Sequence, residues 1–211
     1  TPLYSSAASD VYKRQALDFA FSDLFYVQGQ GFIGRHNDFL EDVLHDRAKQ
    51  LVIVIGVLAI AGFLLSLLPT RLRPLRRTLG YLVLAMGLSA GFVTPLKKVS
   101  QMHCPWSLQQ YGGVEHFSPL LGPRAEPVEK PGNCWPGGHA AAGFALFALF
   151  FALRNSHPRS ARAALIAALT LGSLFSLVRI AQGAHFLSHN LWTALLCWLI
   201  CLGLYDAMLY R

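Results

Sequence analysis

The stretch LVIVIGVLAIAGFLLSLL, residues 51–68, runs for eighteen positions without a charged side chain. Its apolar residues cover every face of a helix rather than one stripe, so no polar side is left to meet water. At about 1.5 Å of rise per residue, it comes close to the roughly 30 Å hydrocarbon core of a bilayer. A segment of this kind belongs in lipid. The composition agrees: of 211 residues, 54% are hydrophobic and only 14% are charged, with a mean hydropathy of +0.40. That is too apolar for an ordinary soluble domain. The net charge of +7 would suit nucleic acid, but the arginines cluster in short loops between apolar runs. The expected partner is therefore a membrane bilayer and not nucleic acid.

Four more apolar runs follow. Residues 79–95 include Gly80, Gly87 and Gly91, small positions that let helices approach closely. Residues 140–153 form a shorter run, and residues 163–180 and 191–210 complete the set. Pro69, Pro95 and Pro158 fall between runs, where helices are expected to stop. The expected fold is all-α, a polytopic membrane helix bundle with five transmembrane helices in residues 51–211. Residues 16–50 mix Asp, His, Gln and aromatics and read as short amphipathic outer helices at the membrane surface. Residues 1–15, TPLYSSAASDVYKRQ, show neither a signal-peptide core nor a helical stripe. They resemble translated sequencing-adapter read-through and are expected to be a non-native N-terminal stretch, outside the fold.

Orientation follows from the arginines. The loop RLRPLRR (residues 71–77) holds four and the loop RNSHPRSAR (residues 154–162) three, neither with an acid. The positive-inside rule puts both in the cytoplasm. Alternation then sends residues 96–138 and 182–190 to the outer side, together with residues 16–50. An outer segment ahead of residue 51 calls for one more preceding helix, so the expected parent has six.

The outer side gathers the chemistry. NCWPGGHAAA, residues 133–142, places a Pro-Gly-Gly turn and a histidine at the mouth of an apolar helix. Gly137 and Gly138 leave backbone N–H groups uncovered at the positive end of that helix, which suits an anion. Taken alone, the stretch reads as a helix N-terminus with His139 as a bystander. At the same depth, however, lie Lys97 and Lys98 after the second run, Arg179 after the fourth, and His185 and His189 before the fifth. One lysine or arginine at a helix end simply snorkels to the interface. Several ionisable groups meeting at one depth beside a Gly-Gly turn point to a site.

Three ordered motifs carry a resemblance. Lys97 to Cys104-Pro105 (K-x6-C-P), Pro136 to His139 (PGGH), and Arg179, His185 and His189 (R-x5-H-x3-H) resemble the signature of the membrane type 2 phosphatidic acid phosphatase superfamily. The family pattern is K-x6-R-P, P-S-G-H and S-R-x5-H-x3-D. The wording HCPW, CWPGGHA and GAHFLSHNLW is closer to a bacterial inner-membrane branch with lipid A phosphatase-like and phosphotransferase-like members. The resemblance implies a lipid phosphate phosphatase without metal or other cofactor, multi-pass in the inner membrane, its site facing the periplasm. It makes His185 the nucleophile that forms a phosphohistidine, and His139 the general acid. Arg179 would offer a bidentate fork to phosphate oxygens, Lys97 a point charge, and Gly137 and Gly138 their N–H groups. Histidine suits both proton roles because it titrates near neutral pH.

Three positions depart from that pattern. Cys104 stands in place of an arginine, Gly137 in place of a serine, and His189 in place of the aspartate that orients the nucleophile. No Asp or Glu occurs between Glu129 and Asp206. His189 is four residues after His185 and so shares its helical face, and it is expected to accept the His185 N–H near 3 Å. Asn190, Glu126 or Glu129 are the alternatives. A metal cluster of His139, His185 and His189, or a non-catalytic membrane protein, is the rival reading, and transfer to another lipid instead of water is a variant of the first. Trp106, Tyr111, Phe117 and Trp135 read as interface anchors. Cys104 and Cys134 share the outer loop, where an oxidising compartment would keep them as a disulfide, while Cys197 and Cys201 read as buried packing. The sequence names neither the lipid nor the oligomeric state.

Overall fold

The computed structural model describes residues 16–35, 48–119 and 131–210. Residues 1–15 and the loop acids Glu126 and Glu129 lie outside them. Of the described residues, 71% are helical. Helix α2 spans Ala48–Leu67, and Arg76 closes it by donating from Nε and Nη2 to the Ser66 carbonyl at 3.1 and 3.0 Å. That cation meets the carbonyls that the last turn leaves unpaired. Helices α3 (Arg76–Gly91) and α4 (Val93–Ser100) run almost continuously. Pro95 does not end a helix, contrary to expectation. It occupies the third position of α4, in the first turn, where a missing N–H breaks no intrahelical bond.

The chain returns through α5 (Gly138–Phe144) and α6 (Phe147–Leu153), crosses again in α7 (Pro158–Ala181), and ends in α8 (Leu187–Tyr205) with a π turn at Asp206–Tyr210. Among the described residues, four segments are long and apolar enough to cross a membrane: Gln50–Leu67, Arg73–Ser107, Pro158–Ala181 and Leu187–Tyr210. The run at Gly138–Leu153 is shorter than these. Its two helices pack on α7 where Gly143 meets Gly172, an approach that leaves a Cβ on Gly143 only 2.6 Å from backbone. Only 17–33% of the spanning windows is buried in the protein, so most of their apolar surface faces outward, as lipid contact requires. Tyr81, Ala85, Phe144, Phe147, Phe151, Cys197 and Cys201 form the inner core, with Tyr81 Oη donating to the Cys201 carbonyl at 3.1 Å.

The cap formed by residues 16–35 differs from a row of amphipathic helices. A short helix α1 covers residues 16–23, and strands β1 (Tyr26–Val27) and β2 (Gly31–Phe32) form an antiparallel hairpin. Gly29 and Gly31 adopt φ of 78° and 88°, which turns the chain too sharply for a surface helix to continue. Phe32 of the hairpin joins Leu108, Tyr111 and Phe186 in a second buried cluster, with Phe19, Trp106 and Phe117 against it. Trp106, Tyr111 and Phe117 therefore pack the cap onto the bundle rather than anchoring it in an interface.

Candidate active site

Arg179 occupies the last turn of α7, and the turn that follows sets the geometry of the site. Gly183 N–H donates to the Ile180 carbonyl at 2.8 Å and Ala184 N–H to the Arg179 carbonyl at 2.9 Å, closing the helix in a Schellman turn. Gly183 has φ of 71°, and a Cβ there would run into the Phe32 ring. Only glycine both makes this turn and admits the hairpin. Phe186 is extended (φ −77°, ψ 162°) and caps α8. His185 therefore precedes the helix while His189 lies in its first turn.

That placement changes the expected pairing of the two histidines. They do not share one helical face, and their ring centroids are 5.9 Å apart. His189 Nδ1 lies 3.1 Å from the Cys134 carbonyl, a bond the imidazole makes as Nδ1–H donor. His185 Nδ1 is buried without a hydrogen-bond partner among the described residues. The expected N–H···N contact is thus replaced by one from His189 to the backbone before the PGGH turn. Gly137 departs from expectation too. Its N–H donates to Thr193 Oγ1 at 2.9 Å, and Thr193 in turn donates to the His189 carbonyl at 2.7 Å. A phosphate would have to displace Thr193 to use that N–H. Asn190 Oδ1 stands where a Cβ on Gly137 would be, so a serine there would have to push the Asn190 amide aside.

The charges converge. Lys97 on α4 lies close enough to Arg179 and His185 for their positive forms to repel, and His185 also feels His189. Burial, followed by His189, Lys97 and Arg179, holds His185 well below the ordinary value of 6.5. Its ring is therefore neutral, with a lone pair to offer, at physiological pH. Arg179 Nη1 donates to Gln182 Oε1 at 2.8 Å. His139 is half-buried as the second residue of α5, directly after Gly138.

The loop that follows α4 is fastened to the segment before α5. Cys104 and Cys134 form a disulfide with Cα atoms 5.1 Å apart, and Cys134 N–H donates to the Met102 carbonyl at 2.9 Å. Ser100 Oγ donates to the Trp135 carbonyl at 2.9 Å. The end of α4 and the PGGH turn are held together three times over. Among the described residues, no group of three His, Cys, Asp or Glu side chains has metal-binding geometry.

One carboxylate escaped the sequence reading. Asp18 of α1 is 8% exposed and accepts from Ser188 N–H at 2.8 Å and from Ser188 Oγ. It caps α8 between the two histidines from 170 residues away.

Comparison with known proteins sets this arrangement in a family. The PAP2 superfamily profile matches residues 78–211, a span containing Lys97, His139, Arg179, His185 and His189. The chain belongs to the PAP2 superfamily. It is also similar to a lipid A 4'-phosphatase of Francisella tularensis subsp. novicida (strain U112), 27% identical over 202 residues, covering 92% of this chain and 87% of that protein. No solved structure matches. Family and apolar helices together describe a multi-pass membrane protein of phosphatase type.

Proposed function

We propose that this chain hydrolyses a lipid phosphate through a phosphohistidine on His185, at the outer face of a bacterial inner membrane. The observation that carries the reading is the buried His185 within electrostatic reach of Lys97 and Arg179, which with burial hold its pKa low. Two cations draw a phosphate against a nucleophile that is not itself protonated. Nδ1 of His185 is sealed in the protein, which leaves Nε2 to attack phosphorus. As the N–P bond forms, the P–O bond to the lipid breaks, and His139 gives its proton to the departing oxygen. Water then attacks the phosphohistidine, His139 takes one of its protons, and the N–P bond breaks to release inorganic phosphate. Arg179 and Lys97 neutralise the phosphoryl oxygens in both steps, with Gly138 N–H as the turn's remaining donor. His189 touches neither phosphate nor nucleophile in this scheme; it positions α8 against the Cys134 carbonyl.

The lipid part of the reading is supported by a groove of about 380 Å³ between α2, α3 and α5. Val52, Gly56, Met86 and Gly87 line it, and it reaches Gly138 at the site. An acyl chain lying there would bring its headgroup phosphate to the turn. The arginine-rich loops 71–77 and 154–162 lie at the opposite helix ends, which supports a site on the outer side. Purified protein in detergent, given a panel of lipid phosphates including lipid A, is expected to release inorganic phosphate, and His185→Ala to release none. Equal release by the variant would refute the mechanism.

A further inference from the structure

The turn that leads to His139 is gripped by α8 at both of its ends. At the near end, His189 Nδ1–H donates to the Cys134 carbonyl at 3.1 Å. At the far end, Gly137 N–H donates to Thr193 Oγ1 at 2.9 Å, and the Thr193 hydroxyl donates on to the His189 carbonyl at 2.7 Å. Thr193 thus spends its one proton on α8 and offers a lone pair to the turn, so the donors run in a single direction from Gly137 to His189. His189 takes part twice, once through its ring and once through its main chain. Thr193 is fully buried, and Gly137 is buried with it. Asn190 Oδ1 fills the space where a Cβ on Gly137 would stand. The turn lies flush against α8 at a residue that has no side chain.

What this contact positions follows from the chain. Gly137 is the cap of α5, and its carbonyl accepts the first helical bond, from Ala141 N–H at 3.0 Å. A glycine brings no side chain to hold that helix start. The Thr193 hydroxyl, reaching across from α8, ties it instead. His139 stands two positions further on, as the second residue of α5. Helix α5 is only seven residues long, so its placement depends on its packing and on the ties at its start. Helix α8 has nineteen residues and a first turn capped by Asp18. Of the two, α5 is the element that shifts when the tie is lost. His185 directly precedes Phe186, the cap of α8. We propose that Thr193 is a positioning residue for His139: its hydroxyl sets where α5 begins against α8, and so where the general acid stands relative to the nucleophile. The proposal rests on the phosphatase reading for the roles of His139 and His185, and on the Gly137–Thr193–His189 bonds alone for the tie.

The test uses the full chain in detergent and two variants. Thr193→Val keeps the branched shape and removes the acceptor, whereas Thr193→Ser keeps the hydroxyl. Two substrates are compared: a short-chain phosphatidic acid, whose alkoxide needs a proton as it leaves, and para-nitrophenyl phosphate, whose phenolate departs without one. The ratio kcat/KM reports the step in which the P–O bond breaks. Thr193→Val is expected to lower it about tenfold or more for phosphatidic acid, within the roughly 10²–10⁴-fold that a positioned acid contributes. For para-nitrophenyl phosphate it should stay within about twofold of wild type, and so should inhibition by orthovanadate, because Lys97, Arg179 and His185 are untouched. Thr193→Ser should restore most of the loss. Amide hydrogen exchange over residues 137–141 gives a readout without turnover, faster in Thr193→Val than in wild type or Thr193→Ser. Equal losses on the two substrates would mark a merely structural residue and overturn the proposal, as would unchanged exchange over residues 137–141. A wild type that hydrolyses neither substrate, with exchange still faster in Thr193→Val, would instead overturn the phosphatase reading and leave the tie between α5 and α8 standing.

Discussion

His189 and His185 sit four positions apart, yet their surroundings give them different work. The His189 bond to the Cys134 carbonyl needs a donor. An aspartate at this position has none, and it would set a buried carboxylate against a carbonyl oxygen. His189→Asp is therefore expected to lose most activity and to lower the melting temperature, since an unsatisfied buried charge costs about 3 kcal/mol or more. His189→Asn, which keeps an N–H donor, should retain more of both. Activity equal to wild type in His189→Asp would show that the histidine's donor is dispensable. For His185 the readout is pH. Its pKa is held below the ordinary 6.5, so the unfolded chain takes up a proton as the pH falls through that value while the folded protein does not. Folding stability conferred at neutral pH is accordingly lost on acidification, by about 1.4 kcal/mol per pH unit until the folded value is reached. The same depression keeps the nucleophile neutral, so the acid limb of kcat/KM attributable to His185 should lie well below 6.5. Melting temperatures from pH 7.5 down to about 5 should fall more for wild type than for His185→Asn, and an equal fall in both would remove His185 as the cause.

Helix α8 begins where it does because Phe186 breaks the backbone and Asp18 satisfies the first turn. An N-terminal cap of this kind contributes about 0.5–2 kcal/mol. Burial raises the Asp18 carboxyl above its ordinary value of 3.8, and the two bonds from Ser188 oppose that rise. Asp18→Ala should therefore fray the first turn of α8, lowering the melting temperature and reducing kcat several-fold through misplacement of His185. Asp18→Asn, which keeps an accepting oxygen, should lose less. Identical hydrogen exchange at residues 187–190 in wild type and Asp18→Ala would contradict this. The groove on α3 gives a second test at this scale. Gly87 lines it, and a Cβ there meets nothing within 4 Å. Gly87→Leu fits without disturbing the helices and fills the groove, so KM should rise for long-chain lipid phosphates and stay unchanged for a short-chain one. Equal effects on both would mean that acyl chains bind elsewhere.

Across the whole molecule, the sequence spoke most clearly where one segment decides its own fate. Residues 51–68 are apolar all round, and α2 follows them closely. The Gly-Gly turn before α5 and the cationic ends of α4 and α7 were likewise readable from local composition. What escaped the reading is non-local. Asp18 reaches Ser188 across 170 positions, and no periodicity marks that pairing. The hairpin docks on the α7 turn through Gly34 and Ala181, and it depends on Gly29 and Gly31 at positive φ. The spacing His185 to His189 suggested one helical face until Gly183 ended α7 and Phe186 delayed the start of α8. Pro95 suggested a stop, and the chain used it as a start. Bundle and motifs are thus local properties, whereas the docking of the cap on the bundle is a tertiary one.

The central claim, covalent catalysis at His185, can be met directly by trapping the intermediate. The wild-type protein in detergent is mixed with a lipid phosphate radiolabelled in its phosphate, quenched in alkali within one turnover, and mapped by peptide analysis. The account predicts an acid-labile, alkali-stable phosphoryl group on His185 that decays as inorganic phosphate appears, and none in His185→Ala. Label on another residue, or phosphate released at the wild-type rate by His185→Ala, would contradict it.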